Sequence, residues 1–230
     1  MKVLHSGRHA RKLKRGVLSG NSFKLVIRDW QGDKDKTIRQ LEVMKANGIA
    51  NYYGSQRFGH EGQNVNKALG MFLGEKTRRE QRSLYLSAVR SYFFNQILAY
   101  RVTRKNWNQP VAGDTYMFDL SHSCFKSELP DAEIIRRLNA KEIHPTGALW
   151  GRGEADVSVD TLNIEQGIID TCPELAQGLI AFAVDKDRRA LRVNVQDLSW
   201  QFVNDTILEL GFTLPAGSYA TSVLREIIEL

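Results

Sequence analysis

The stretch Gly20-Asn-Ser-Phe-Lys-Leu-Val-Ile27 places Phe23, Leu25 and Ile27 at every second position. This spacing predicts a strand with one face on a core. A second alternation near the other end of the chain predicts a partner strand, with apolar residues at Leu208, Leu210, Phe212 and Leu214. Strands so far apart can share one sheet, which would make the residues between them an insertion.

The residues between these strands are largely helical in pattern. Gly48 is expected just past the end of a helix that carries Ile38, Leu41 and Met44 on one face. Further helices are predicted over residues 64–73, 79–104 and 131–143, the last capped by Asp131, and over 162–187 in two pieces broken at Pro173. Residues 51–62 have loop composition, and Ser218 or Thr221 is expected to cap a final helix. The fold class is therefore α+β.

Length and composition indicate an ordinary globular chain. It has 230 residues, 42% apolar and 25% charged, which excludes disordered and low-complexity classes. No apolar run approaches the roughly 20 residues of a membrane span, and no signal peptide is expected. Two cysteines are too few for a disulfide framework, so we expect a cytoplasmic protein.

The positive charge is concentrated near the start of the chain. Residues 1–46 hold 12 Lys and Arg against 4 Asp and Glu, and residues 76–105 hold eight against Glu80 alone. Such clusters attract a phosphate backbone, although a solvated face that maintains solubility has the same composition. The candidate backbone contacts are Arg8, Arg11, Lys12, Lys14 and Arg15.

Motifs for cofactor or metal chemistry are absent from the sequence. It contains no phosphate-binding or dinucleotide-binding glycine motif, no Cys-x-x-Cys, no His-Glu-x-x-His and no Gly-x-Ser-x-Gly. His5 and His9 lie in a cationic segment that would repel a divalent ion. If the protein is an enzyme, we expect it to need no cofactor and no metal.

Three stretches together resemble the TruD family of transfer-RNA pseudouridine synthases. They are Arg8-His-Ala-Arg-Lys-Leu-Lys-Arg-Gly-Val-Leu-Ser-Gly-Asn-Ser-Phe23, Asn51-Tyr-Tyr-Gly-Ser-Gln-Arg-Phe-Gly59 and Leu214-Pro-Ala-Gly-Ser-Tyr-Ala-Thr-Ser-Val-Leu-Arg-Glu226. The middle stretch is similar to the family signature, and the resemblance spans essentially the whole chain.

The resemblance implies an isomerase that converts uridine 13 of transfer RNA to pseudouridine. A catalytic aspartate acts on a flipped-out nucleotide, and the base detaches, turns and rejoins the ribose through carbon 5. The implied fold is a pseudouridine-synthase mixed sheet, formed by residues 1–46 and 194–230 and interrupted by a TruD insertion over residues 47–193. The implied partner is transfer RNA, and we expect a monomer.

The resemblance also assigns substrate-binding roles. Asn21 would position the substrate, Phe23 would stack on the target base, and Tyr219, where the family usually has Phe, would line the same pocket. From the residues alone, Asn21 could equally be a turn residue and Phe23 a core residue. Arg57 could be a phosphate contact or an internal anchor, and Arg225 either faces the catalytic carboxylate or is a surface charge.

The family's catalytic aspartate has no counterpart in this sequence. It should precede Asn21, yet the first acidic residue is Asp29. The stretch Lys186-Asp-Arg-Arg-Ala190 is similar but lies in the wrong order, so Asp187 is interpreted as a surface charge at a helix end. The chain therefore resembles a fragment of a full synthase. The alternatives are a catalytically inactive RNA-binding form, and different chemistry on Asp29 or Asp205.

Overall fold

A computed structural model describes Gly7 and residues 19–228 of the chain. These residues form nine strands and seven α-helices. The strands are β1 (Gly20–Ile27), β2 (Ile49–Ala50), β3 (Thr115–Phe118), β4 (Cys124–Lys126), β5 (Ile143–Leu149), β6 (Asp187–Ala190), β7 (Arg192–Val193), β8 (Gln196–Phe202) and β9 (Leu208–Pro215). The helices are α1 (Lys34–Asn47), α2 (Gln63–Phe72), α3 (Arg79–Thr103), α4 (Ala132–Asn139), α5 (Val159–Ile169), α6 (Pro173–Ala181) and α7 (Ala220–Leu224).

The two ends of the described chain meet in one antiparallel sheet of order β1-β9-β8. The register pairs Phe23 with Phe212 and Leu25 with Leu210, so apolar side chains of the two strands share one face. Helix α1 packs Leu41 and Met44 into the same core. The predicted sharing of a sheet by distant strands is confirmed.

A short pair of strands lies where the chain leaves this sheet and returns to it. Ile49 of β2 pairs with Val193 of β7. Between these two positions the chain forms a four-stranded sheet of order β4-β3-β5-β6 and helices α2 to α6. The boundaries 1–46, 47–193 and 194–230 remain a prediction.

Helix α3 is the central helix of the middle region. Phe93, Phe94, Ile97 and Leu98 are almost completely buried, and they divide between two hydrophobic clusters. Val89, Phe93 and Ile97 form a buried apolar stripe at helical spacing. Tyr100 is next along this stripe but remains 38% exposed, where it contacts the guanidinium of Arg104.

Helix boundaries were predicted well at the starts and less well at the ends. Asp131 caps α4 by accepting a hydrogen bond from the Ile134 backbone amide (2.8 Å), and Pro173 begins α6. However, α6 ends at Ala181, and Asp187 begins strand β6 rather than lying at a helix end. The residue that precedes α7 is Tyr219, with no side-chain cap from Ser218 or Thr221.

Candidate functional site

Asn21 and Phe23 lie on the same face of β1, two positions apart. Asn21 is exposed and pairs with Leu214, near the end of the sheet. Phe23 is half-buried and its ring stacks on Phe212, with centroids 5.2 Å apart. Phe23 therefore contributes to the core, while its base-stacking role remains a prediction.

Tyr219 is held by the signature segment. Arg57 donates hydrogen bonds from Nε (3.1 Å) and Nη2 (2.9 Å) to the phenolic oxygen of Tyr219. The Nη1 atom of Arg57 donates to Ser87 Oγ of α3 (2.9 Å). Arg57 thus joins the signature segment to α3 and to the C-terminal turn, and it supplies a hydrogen-bond partner for the hydroxyl that departs from the usual phenylalanine.

Asn51 and Arg189 provide a second set of hydrogen bonds between the signature segment and the C-terminal turn. Its side-chain amide donates to the Ala190 carbonyl (2.8 Å), and its Oδ1 accepts a hydrogen bond from Arg189 Nη2 (2.6 Å). Arg189 Nη2 also donates to the Gly217 carbonyl (3.2 Å). The signature segment, strand β6 and the turn before Tyr219 are therefore hydrogen-bonded to one another.

Tyr53 lies between the Arg57–Tyr219 contact and the Asn51–Arg189 contact. The guanidinium carbons of Arg189 and Arg57 are 4.1 and 5.2 Å from its ring centroid, within the range of cation–π contacts. Asn95 of α3 fixes its backbone by accepting from the Tyr53 amide (2.9 Å) and donating to the Tyr53 carbonyl (3.0 Å). The Tyr53 and Tyr219 rings meet edge to face at 6.0 Å.

Arg57 and Arg189 give the site around Tyr53 a positive charge. Among the described residues, neither Arg57 nor Arg189 forms an ion pair with a carboxylate. Burial lowers the pKa of Arg189, and the neighbouring charge of Arg57 lowers that pKa further. A cluster of two arginines, two tyrosines and Asn51 therefore lies where the signature meets the C-terminal turn; we call it the arginine–tyrosine cluster.

Backbone conformation at Gly59 keeps the signature segment compact. Its φ of 78° is in the left-handed region, and a Cβ there would lie 2.7 Å from Asn64 Oδ1. Asn64 in turn donates a hydrogen bond to the Arg57 carbonyl (3.4 Å). The glycine therefore allows the close approach that positions Arg57.

The eight cations of residues 76–105 separate into three groups. Arg101 is almost completely buried and ion-paired with Asp114, so it is not available to a phosphate. Arg90 donates to the backbone carbonyls of Leu149 and Asp185. The remaining cations of this stretch are exposed, namely Lys76, Arg78, Arg79, Arg82, Arg104 and Lys105. Arg8, Arg11, Lys12, Lys14 and Arg15 lie outside the described residues.

The three carboxylates considered from the sequence all lie on the surface. Asp187, Asp29 and Asp205 are exposed, and Asp205 pairs with Lys34 at 2.6 Å. Arg225 is also exposed. Within residues 19–228, no three His, Cys, Asp or Glu side chains are grouped closely enough to hold a metal ion.

The sequence analysis assigns no role to three residues of this arrangement, namely Tyr53, Ser87 and Arg189. Tyr53 lies inside the quoted signature, which was a usable signal. Arg189 and Ser87 had none, because each contacts residues far away in the sequence.

Comparison of the fold identifies the class. The chain aligns over its full length with a crystal structure of the putative tRNA pseudouridine synthase D (TruD) of Methanosarcina mazei, covering 72% of that chain with a TM-score of 0.72 at 21% identity. The architecture is the pseudouridine-synthase fold. No helix in the described part of the chain is long and apolar enough to cross a membrane.

Sequence comparison identifies the family. The model of tRNA pseudouridine synthase D (TruD) matches residues 1–77 and 75–227, and the chain belongs to the TruD family. It is 46% identical over 229 residues to the tRNA pseudouridine synthase D of Methylococcus capsulatus, covering 99% of this chain and 65% of the relative. The enzyme of Hydrogenovibrio crunogenus is 40% identical, covering 99% and 66%. The chain thus spans just under two thirds of the length of these relatives.

Proposed function

We propose that this chain supplies most of a tRNA pseudouridine synthase, which isomerises uridine 13 of transfer RNA without a cofactor. Membership of the TruD family and the names of its relatives support this proposal. The observation that carries it is the contact between Arg57 and Tyr219, because it joins the family signature to the C-terminal motif.

The proposed substrate site lies at the end of the sheet. Gly20 of β1 pairs with Pro215, and the Ala216 amide donates to the Ser19 carbonyl (3.2 Å), so the start of β1 adjoins the turn that leads to Tyr219. Asn21 would position the uridine, Phe23 would stack on its base, and Tyr219 would line the pocket. The exposed cations of residues 76–105 would contact phosphates, which position an RNA without reading its sequence.

In the proposed reaction, an aspartate acts on the flipped-out nucleotide. The glycosidic bond to the base breaks, the base turns, and a new bond joins the ribose to carbon 5 of the base. We assign this role to no residue of the chain. The first acidic side chain, Asp29, follows the Asn21 position that the aspartate should precede.

The same observation supports a second candidate, an RNA-binding protein of this fold without catalytic activity. The two candidates differ in one result. A synthase converts uridine 13 once a polypeptide that carries the catalytic aspartate is added, whereas an RNA-binding form binds the transfer RNA without modifying it.

An isomerisation assay distinguishes them. The chain is incubated with a transfer-RNA transcript bearing uridine 13, and with a matched transcript bearing cytidine there, and pseudouridine is detected by carbodiimide labelling and primer extension. We expect conversion only after adding the part of the Methylococcus capsulatus relative that this chain does not match. Binding without conversion in both conditions would favour the non-catalytic form, and no binding would contradict both.

A monomeric state is part of the proposal. Light scattering after size-exclusion chromatography should give a mass near 26.1 kDa. A mass near twice that value would show a dimer.

A further inference from the structure

The two arginines of the arginine–tyrosine cluster retain unused hydrogen-bond donors. Arg189 uses Nε and Nη2 toward Asn51 and Gly217, and its Nη1 donates to no described residue. Arg189 is only partly buried, so solvent reaches part of this side chain. A guanidinium carries five N–H donors in a planar fork, and the exposed edge of Arg189 can therefore receive an oxygen ligand.

The hydroxyl of Tyr219 is a donor at the same place. Its oxygen accepts two hydrogen bonds from Arg57, at 3.1 and 2.9 Å, which occupies the accepting positions of a phenol. Its own O–H finds no acceptor among residues 19–228. Donation from a charged group polarises the phenol, so this O–H is available as a donor for an incoming oxygen.

Leaving two such guanidinium groups without a carboxylate is costly for a fold. A buried positive charge is normally paired, and within residues 19–228 the buried Arg101 and Arg188 obey that rule. Arg101 pairs with Asp114, and Arg188 pairs with Glu165 at 2.8 Å. Departures from local consistency concentrate at functional sites, and here the departure lies beside two predicted substrate-contacting segments.

We propose that Arg189, Arg57 and the Tyr219 hydroxyl form a binding site for one phosphate group of the RNA backbone. The site rests on the proposed function, because it takes the substrate to be an RNA. Arg189 supplies its positive charge and the N–H donors of Nη1 to the phosphate oxygens, Tyr219 supplies a single donor, and Arg57 adds charge while orienting Tyr219. A hydrogen bond between a guanidinium and a phosphate is strengthened by the two charges, and the contact releases a condensed counterion from the RNA.

The test is the salt dependence of transfer-RNA binding by the whole chain. Affinity is measured by fluorescence anisotropy across a range of chloride concentrations for the wild type, Arg189→Gln and Arg189→Lys. Glutamine keeps a side-chain donor for Asn51 but removes the charge. We expect Arg189→Gln to lower the slope of log affinity against log salt by about one, and Arg189→Lys to retain most of that slope.

Two further variants control this measurement. Tyr219→Phe removes a neutral donor, so it should weaken binding several-fold and leave the slope unchanged. Arg136→Gln removes an exposed arginine that Glu133 and Glu142 already neutralise, and it should change neither quantity. Near-ultraviolet circular dichroism verifies that each variant is folded.

The results separate this site from the proposed function. Binding with the wild-type slope in folded Arg189→Gln overturns the phosphate site and leaves the proposed function intact. A lowered slope together with failure of the isomerisation assay supports the site and contradicts the enzyme. If inorganic phosphate raises the melting temperature through Arg189 while transfer-RNA binding does not depend on Arg189, RNA is the wrong ligand. If the wild type binds no transfer RNA, both proposals fail.

Discussion

Arg101 and Asp114 form a bidentate ion pair in which neither side chain reaches solvent. The two guanidinium nitrogens lie 2.9 and 3.1 Å from the two carboxylate oxygens. Arg101 also donates to the carbonyls of Asn106 and Gln109. Asp114 accepts from Thr161 Oγ1 (2.9 Å), so the pair ties the end of α3 to the start of β3 and to α5.

Removing one partner of this pair should be strongly destabilising. Asp114→Ala leaves the Arg101 guanidinium buried without a counter-charge, and we expect a loss of about 3–5 kcal/mol in the free energy of unfolding. Urea denaturation measures the loss. Glu133→Ala is the matched control, because it removes an exposed carboxylate from Arg136 and should cost far less. Equal losses in the two variants would show that burial of the pair does not determine its contribution.

His144 should make stability depend on pH. Its Nε2 lies 2.8 Å from Asp119 Oδ1, and its Nδ1 accepts a hydrogen bond from Arg192 Nε (2.9 Å). Burial lowers the pKa of His144; the Asp119 hydrogen bond opposes this shift, and the charges of Arg192 and Lys141 add to it. Because protons bind the unfolded histidine more tightly, the free energy of unfolding should fall as pH drops below about 6.5.

The test compares the wild type with His144→Gln, which keeps a donor toward Asp119 and an acceptor for Arg192. Between pH 7 and 5 the wild type should lose stability relative to the variant. Glu226 acts with the opposite sign in this window, because burial raises its pKa, but it is common to both proteins. The pKa of Asp119 is held below its usual value, since hydrogen bonds and the charge of His144 outweigh burial, so it titrates at lower pH. Parallel curves would contradict the prediction.

Elements with a local signal were predictable from the sequence. The alternation of apolar and other residues that ends at Leu214 predicts the central strand β9. Its four alternating apolar residues are all buried. Asp131 and Gly48 marked helix ends because capping depends on residues within a few positions. Ala181 carried no such signal, and the predicted helix was accordingly too long.

The connections within the candidate site could not be predicted in this way. Arg189 and Asn51 are 138 positions apart, and Arg57 and Tyr219 are 162 apart, so no periodicity links them. Arg101 has the sequence appearance of an exposed cation on a basic helix. Its burial is decided by Asp114, which lies beyond the end of that helix and shows no pattern of its own.

Gly113 should tolerate no side chain. Its φ is 81°, and a Cβ would collide with the backbone carbonyl of Ser158, whose amide donates to the Gly113 carbonyl (3.1 Å). Gly113→Ala should therefore cost about 1–2 kcal/mol from strain and roughly 1–3 kcal/mol more from overpacking. Gly62→Ala is the control, because Gly62 has a φ of 74° but nothing within 4 Å of the added carbon. Thermal or urea unfolding compares the two, and a larger loss in Gly62→Ala would contradict the reasoning.

The bond between Arg57 and Tyr219 should couple the signature segment to the C-terminal turn energetically. Tyr219→Phe removes the acceptor of two hydrogen bonds, and Arg57→Gln removes their donor, so each change alone should lose the same interaction. A double-mutant cycle in urea should return a coupling free energy of about 1 kcal/mol. This is toward the lower part of the usual range, because both side chains are half-buried and water can replace part of the contact.

Tyr219→Phe combined with Arg136→Gln provides the control, since Arg136 bonds only to Glu133 and Glu142 within the described chain. The losses in the free energy of unfolding from these two changes should be additive. A coupling near zero between Arg57 and Tyr219 would mean that solvent satisfies both groups equally well, and that the two motifs are held together by Asn51 and Arg189 instead.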